Sequence, residues 1–135
     1  MRRGLRCVSN GTDNHLVLCD VTSFGLTGRQ AESALNDSGV IVNRNSIPSD
    51  PNGAWYTSGI RLGTPALTTL GMGTSEIDEV ADIITSVLDA AEPAKAKNGP
   101  SRAKYLMDTG VQEKCRERAA ELLDHHPLYP QVGLI

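Results

Sequence analysis

The chain predicts an α/β domain: a small, mainly antiparallel three-stranded sheet with helices on one face. Three observations carry that prediction. Short runs bounded by polar residues, near 15–21, 40–42 and 58–62, read as strands. Stretches around 28–38 and 77–91 repeat apolar residues at helical spacing. Gly, Pro, Asn and Asp gather between these segments, where the chain has to turn. A length of 135 residues fits one domain, 1–135.

Residues 1–10 are partly basic, with Arg2, Arg3 and Arg6, and look like the tail of an upstream helix and strand. No apolar core follows those arginines, so no secretory signal is expected. Leu16 to Val21 is apolar at five of six positions, the pattern of a strand buried on both sides. With helices on one face, the other sheet face is then left in need of cover. His15 opens this strand as a hydrogen-bonding end residue. Thr27-x-x-Gln30 is a capping box for a helix over Gly28–Ser38, with Ala31, Ala34 and Leu35 as its stripe and Gly39 closing it. Val40–Val42 is the second strand, and Asn43 to Gly53 is a polar loop.

The third strand covers Ser58–Leu62. Thr64-Pro65 then reads as an N-cap and first-turn proline of a short helix, Pro65–Thr69, ending at Gly71. Ser75-x-x-Asp78 caps a long helix whose stripe is Ile77, Val80, Ala81, Ile84, Val87, Leu88 and Ala91. Asp78, Glu79, Asp82 and Asp89 form its solvated face, and Pro93 ends it. Residues 93–101 are a polar linker. Thr109-x-x-Gln112 caps a last helix that turns Val111, Cys115, Ala119, Leu122 and Leu123 inward and Glu113, Arg116, Glu117 and Arg118 outward. Adjacent His125 and His126 point apart on a helix, which makes them poor joint metal ligands.

A formal net charge of −3 and the lack of a basic tract interleaved with aromatics argue against nucleic acid as partner. No apolar run approaches the roughly 20 residues that span a bilayer. Cys7, Cys19 and Cys115 are odd in number and scattered, which suits reduced, cytoplasmic thiols.

Arg61 is the candidate chemical residue. On a strand, Ile60 and Leu62 face away from it, and Gly59 and Gly63 let backbone or ligand come close. A guanidinium so placed can grip a carboxylate through two parallel hydrogen bonds. A structural ion pair is the alternative. Asn45 either satisfies its own loop backbone or faces a ligand.

The run Thr57–Thr68 resembles the substrate-carboxylate motif of serine hydroxymethyltransferase, also called glycine hydroxymethyltransferase. Gly11-Thr12-Asp13-Asn14-His15-Leu16-Val17-Leu18, Gly25-Leu26-Thr27-Gly28 and Val42-Asn43-Arg44-Asn45-Ser46-Ile47-Pro48 resemble that family's signatures in order and spacing. Pro127-Leu128-Tyr129 is similar to its C-terminal end. The resemblance covers nearly the whole chain, but only the family's C-terminal small domain, of the aspartate aminotransferase-like fold (fold-type I). It implies pyridoxal phosphate as cofactor, tetrahydrofolate as co-substrate and interconversion of serine and glycine. It places Arg61 on the amino-acid carboxylate and Asn45 beside the folate.

Two positions depart from the family. Asn10 stands where it has glycine, and Leu70 where it usually has arginine. The imine-forming lysine is expected to be missing: Lys95, Lys97, Lys104 and Lys114 all lie in the polar linker or the charged C-terminal region, and none has the family's threonine-histidine-lysine context. The chain is thus expected to be inactive alone and to need a large domain, or partners in a homo-oligomer. A non-catalytic binding module derived from such an enzyme is the second reading, and an unrelated small α/β domain the third.

Overall fold

The computed structural model describes residues 3–132; Met1 and Arg2, part of the basic N-terminal stretch, lie outside them. Four antiparallel strands form the main sheet: β1 (Arg6–Cys7), β2 (Leu16–Asp20), β3 (Asn43–Asn45) and β4 (Gly59–Gly63), in the order β1-β2-β4-β3. The α/β class holds, with one strand more than expected. Arg6–Cys7 supplies it, pairing Cys7 with Cys19 and Arg6 with Asp20.

The second strand begins three residues later than expected. Val40 to Val42 carry the apolar signal, yet their amides are already engaged at the end of helix α1 (Gly28–Asp37). Val40 N–H donates to Leu35 O (2.9 Å) and Val42 N–H to Asn36 Oδ1 (3.1 Å). Those bonds close the helix and take two of the three amides of this segment away from a ladder. Val42 is buried, but Ile41 is 84% exposed.

Helix α1 starts as its sequence indicates. Gln30 N–H donates to Thr27 Oγ1, and the Gln30 carboxamide oxygen accepts from Thr27 N–H. Gly28 opens the helix where it meets the start of β4, and Gly28 N–H donates to Thr57 O (3.0 Å). A Cβ at Gly28 would fall on Thr57 Oγ1 and lie 2.5 Å from Gly59 O.

Residues 93–101 are a hairpin rather than a linker. Strand β5 (Glu92–Ala96) pairs with β6 (Gly99–Leu106), bulged between Pro93 and Lys95. Lys97-Asn98 forms its two-residue turn, between Ala96 and Gly99, which are paired. The hairpin docks on α1. Thr27 Oγ1 donates to Arg102 O (2.7 Å), Gln30 Nε2 donates to Ser101 O and Lys104 O, and Tyr105 Oη donates to Asp37.

Two short helices flank β4: α2 (Gly53–Tyr56), inside the expected loop, and α3 (Pro65–Thr69), as expected, although Thr64 makes no side-chain cap. Helix α4 (Thr74–Ala90) starts a residue before Ser75: Glu76 reaches back to accept from Gly73 N–H (2.8 Å). Helix α5 (Thr109–His125) is capped by Asp108, whose side chain accepts from Val111 N–H, so Thr109 is its first residue and not its cap. Cys19, Val21, Leu35, Ile60, Ile83, Val87, Leu88 and Cys115 form the centre of the core. Leu123, expected inside, is 49% exposed.

The charge pattern of α4 and α5 also differs from a pair of solvated faces. Arg118 crosses from α5 to α4 and donates to both Glu79 oxygens (2.8 and 2.9 Å) and to Asp82 (2.7 Å). Hydrogen bonds from Arg118 hold the Glu79 and Asp82 carboxyls below their usual range, and the Arg118 pKa rises in return. Carboxylates with lowered folded pKa stabilise above the unfolded value, about 4, and lose that contribution as the pH falls through the folded value. Arg118→Met is therefore expected to reduce stability at pH 7 and to flatten its decline in acid. Denaturant unfolding across pH checks this; a variant as stable as the parent at pH 7 would show that the bridge contributes nothing.

Candidate functional site

Alternation along the sheet gives it two unlike faces. Val17, Cys19, Ile60 and Leu62 turn toward the helices, and Cys19 and Ile60 are almost fully buried. The opposite face carries Leu16, Leu18 and Asp20 from β2, Arg61 from β4, and Asn43 and Asn45 from β3. Leu16 is 42% exposed and Leu18 half-buried, so the first part of β2 is partly open on this side, whereas Asp20 at its end is buried.

Arg61 stands at the middle of that open face. Its register partners are Leu18 and Asn43. The side chain is exposed and forms no ion pair among the described residues. Asn45 lies opposite Gly59, one alternation step from Arg61 on the same face. Its carboxamide nitrogen donates to Ser46 O (2.8 Å). The fold therefore brings both candidate residues onto one surface.

Gly59 separates them, and here its lack of a side chain matters. A Cβ there would meet Ile47 Cγ2 at 2.7 Å, Asn45 O at 2.8 Å and Cys19 O at 3.0 Å. Just before it, Thr57 is held at φ 60°, which is unfavourable for a β-branched residue and costs of order 1–3 kcal/mol. Its amide donates to Gly53 O and its carbonyl accepts from Gly28 N–H, which fix the strained residue in place.

Asp50 organises the loop that leads from Asn45 to β4. One carboxylate oxygen accepts from Ile47 N–H and Ser58 N–H, the other from Asn52 N–H and Ser58 Oγ. Burial alone raises this carboxyl, but the four hydrogen bonds outweigh it and hold the pKa below the usual carboxylate value. Sequence reading missed Asp50, although Asp-Pro-Asn-Gly is a turn signal that could have pointed to it. It also missed Trp55, whose ring centroid is 4.9 Å from the guanidinium carbon of Arg29 and 5.2 Å from that of Arg44. Nothing in the local sequence around Trp55 marks those two arginines as its neighbours.

The other residues singled out in the sequence belong to other segments than β3 and β4. Lys95, Lys97 and Lys104 belong to the β5–β6 hairpin and Lys114 to α5. Leu70 caps α3, and its carbonyl lies 3.1 Å from His126 Nδ1. His15, exposed, uses its carbonyl to accept from Thr64 N–H (3.1 Å), which joins the starts of β2 and α3. A separate cavity of about 420 Å³ lies beside the sheet and is lined by Val17, Leu62, Leu67, Ile77, Val80 and Leu122, among others. Apolar walls of this kind offer packing area and no chemistry. Among the described residues no cluster of His, Cys, Asp or Glu could hold a metal ion, and no helix is long and apolar enough to cross a membrane.

The α/β domain thus presents an arginine and two asparagines together on one face of its main sheet. Comparison with known proteins gives the family. The family model described as serine hydroxymethyltransferase matches residues 1–84. Curated serine hydroxymethyltransferases from Cutibacterium acnes, Salinispora tropica and Mycolicibacterium smegmatis are 59%, 57% and 56% identical to the chain, over 99%, 98% and 99% of its length. The chain belongs to the serine hydroxymethyltransferase family. It spans 28%, 28% and 26% of the length of those three relatives.

Proposed function

We propose that this chain supplies the C-terminal part of a cytoplasmic serine hydroxymethyltransferase, which interconverts serine and glycine and passes a one-carbon unit to tetrahydrofolate. The observation that carries the reading is the exposed Arg61, unpaired among the described residues, on a sheet face it shares with Asn45. A free guanidinium on a strand between two glycines is suited to a bidentate carboxylate, here that of serine or glycine. Binding there fixes the orientation of the amino acid's Cα bonds, and alignment of this kind can lower a barrier by several kcal/mol. Arg61 binds and aligns; it moves no proton. Asn45, one step along the same face, would lie beside the folate.

Pyridoxal phosphate would supply the electron sink of the reaction in the complete enzyme. The residues of this chain do not fit that group. The four lysines belong to the β5–β6 hairpin and to α5, and none to the strand of Arg61. The rest of the enzyme, a large domain or a second subunit, would therefore hold the cofactor. Pyridoxal phosphate added to the isolated chain and trapped with borohydride is expected to label several exposed lysines weakly. Peptide mapping checks it; stoichiometric labelling of one lysine would overturn it.

A chimera tests the function itself. Replacing the matching segment of the Cutibacterium acnes relative by this chain is expected to leave serine-to-glycine conversion intact. A folded, cofactor-loaded chimera without turnover would favour the second reading, a non-catalytic module, and would direct attention to Leu70.

A further inference from the structure

The structure places two of the three thiols directly opposite one another. Cys7 of β1 is the register partner of Cys19 of β2, and both turn toward the helix-covered face. Opposed residues of an antiparallel pair have Cα atoms about 4.5 or 5.5 Å apart, depending on their place in the ladder. Disulfides span Cα separations of about 4.4–6.8 Å, so either spacing lies within their range. The two cysteines differ in access: Cys19 is 1% exposed, and Cys7 is half-buried at the sheet edge. Burial first, and the neighbouring Cys7 thiol second, push the Cys19 thiol up to about 12. Cys115 belongs to α5 and pairs with neither.

We propose that Cys7 and Cys19 are a reversible disulfide site, closed by thiol–disulfide exchange with a small-molecule disulfide. Cys7 reacts first, because a small disulfide can reach it. Its thiolate attacks one sulfur of the reagent, a mixed disulfide forms, and one reagent thiolate leaves. Cys19 then attacks the Cys7 sulfur and gives up its proton. The Cys7–Cys19 bond forms, the bond to the reagent breaks, and the second reagent thiolate leaves and takes a proton. Two protein thiols are oxidised and one small disulfide is reduced to two thiols. The reluctance of Cys19 to ionise makes this second step slow. The bond would tie the two-residue β1 to the strand paired with β4, beside Ile60 and one residue from Arg61.

The test uses the whole chain with oxidised and reduced glutathione as probe. No Lys or Arg lies between Cys7 and Arg29, so trypsin leaves both cysteines in one peptide, 7–29. Oxidation is expected to lighten that peptide by about 2 Da, reversibly with dithiothreitol. Cys7→Ser and Cys19→Ala should each abolish the change, and Cys115→Ser should leave it intact. The folded chain should close the bond at a glutathione ratio roughly tenfold more reducing than the urea-unfolded chain, because the sheet holds the sulfurs together. Equal midpoints, or stable glutathione adducts on Cys7 with no internal bond, would overturn the proposal.

Discussion

Gly28→Ala is expected to destabilise the fold by about 3 kcal/mol, at the upper end of overpacking effects. Two terms oppose each other at this position. Alanine is the better helix former by about 1 kcal/mol. Its methyl group, however, would fall on Thr57 Oγ1 and lie 2.5 Å from Gly59 O. The carbonyl is backbone in β4, and the Thr57 side chain is 97% buried beside it, since that residue is only 3% exposed. Neither can swing aside without disturbing the strained backbone at Thr57, so the clash wins. The melting temperature should fall by roughly 10 °C. A variant that melts with the parent would show that α1 and β4 separate easily at this point.

Arg61→Lys is expected to lower kcat/KM for serine roughly ten- to a hundredfold in the chimeric enzyme. Lysine keeps the charge but loses the planar fork, and a hydrogen bond to a charged group is worth about 1.5–3 kcal/mol. Thermal stability separates this reading from a structural ion pair. The side chain is exposed and unpaired among the described residues, so the variant should melt within a degree or two of its parent. Wild-type kcat/KM would remove the carboxylate role. Unchanged turnover together with a large loss of stability would make Arg61 a structural residue.

The sequence was most informative where a signal is local. The Thr27–Gln30 capping box, Pro65 at the first turn of α3 and the strand Leu16–Asp20 each depend on neighbours within five residues. The placement of the candidate residue Arg61 was legible for a related reason: glycine, arginine and apolar residues alternate across Gly59–Gly63, and that fixes which side Arg61 faces. Errors arose where a local signal had two possible partners. Val40–Val42 is apolar enough for a strand, but the end of α1 captures its amides first. Asn98-Gly99 is a hairpin signal set among lysines, prolines and small residues, and the polarity concealed the strands on either side. Arg118 looks outward in sequence and becomes a bridge only because α4 lies alongside α5. That packing is a property of the tertiary fold.

Gln30 has a consequence for how the molecule opens. It is 1% exposed, yet its side-chain nitrogen finds acceptors only at Ser101 and Lys104, 71 and 74 positions away. Peeling the β5–β6 hairpin from the surface would take away the acceptors of two Gln30 amide hydrogens and the 2.7 Å acceptor of the Thr27 hydroxyl at the start of α1, and open them to water. Exchanging each such bond for one to water costs about 0.5–1.5 kcal/mol. The first turn of α1 and the hairpin therefore behave as one cooperative unit, exchanging their amide protons together although most of the chain separates them. Closing so long an interval is slow.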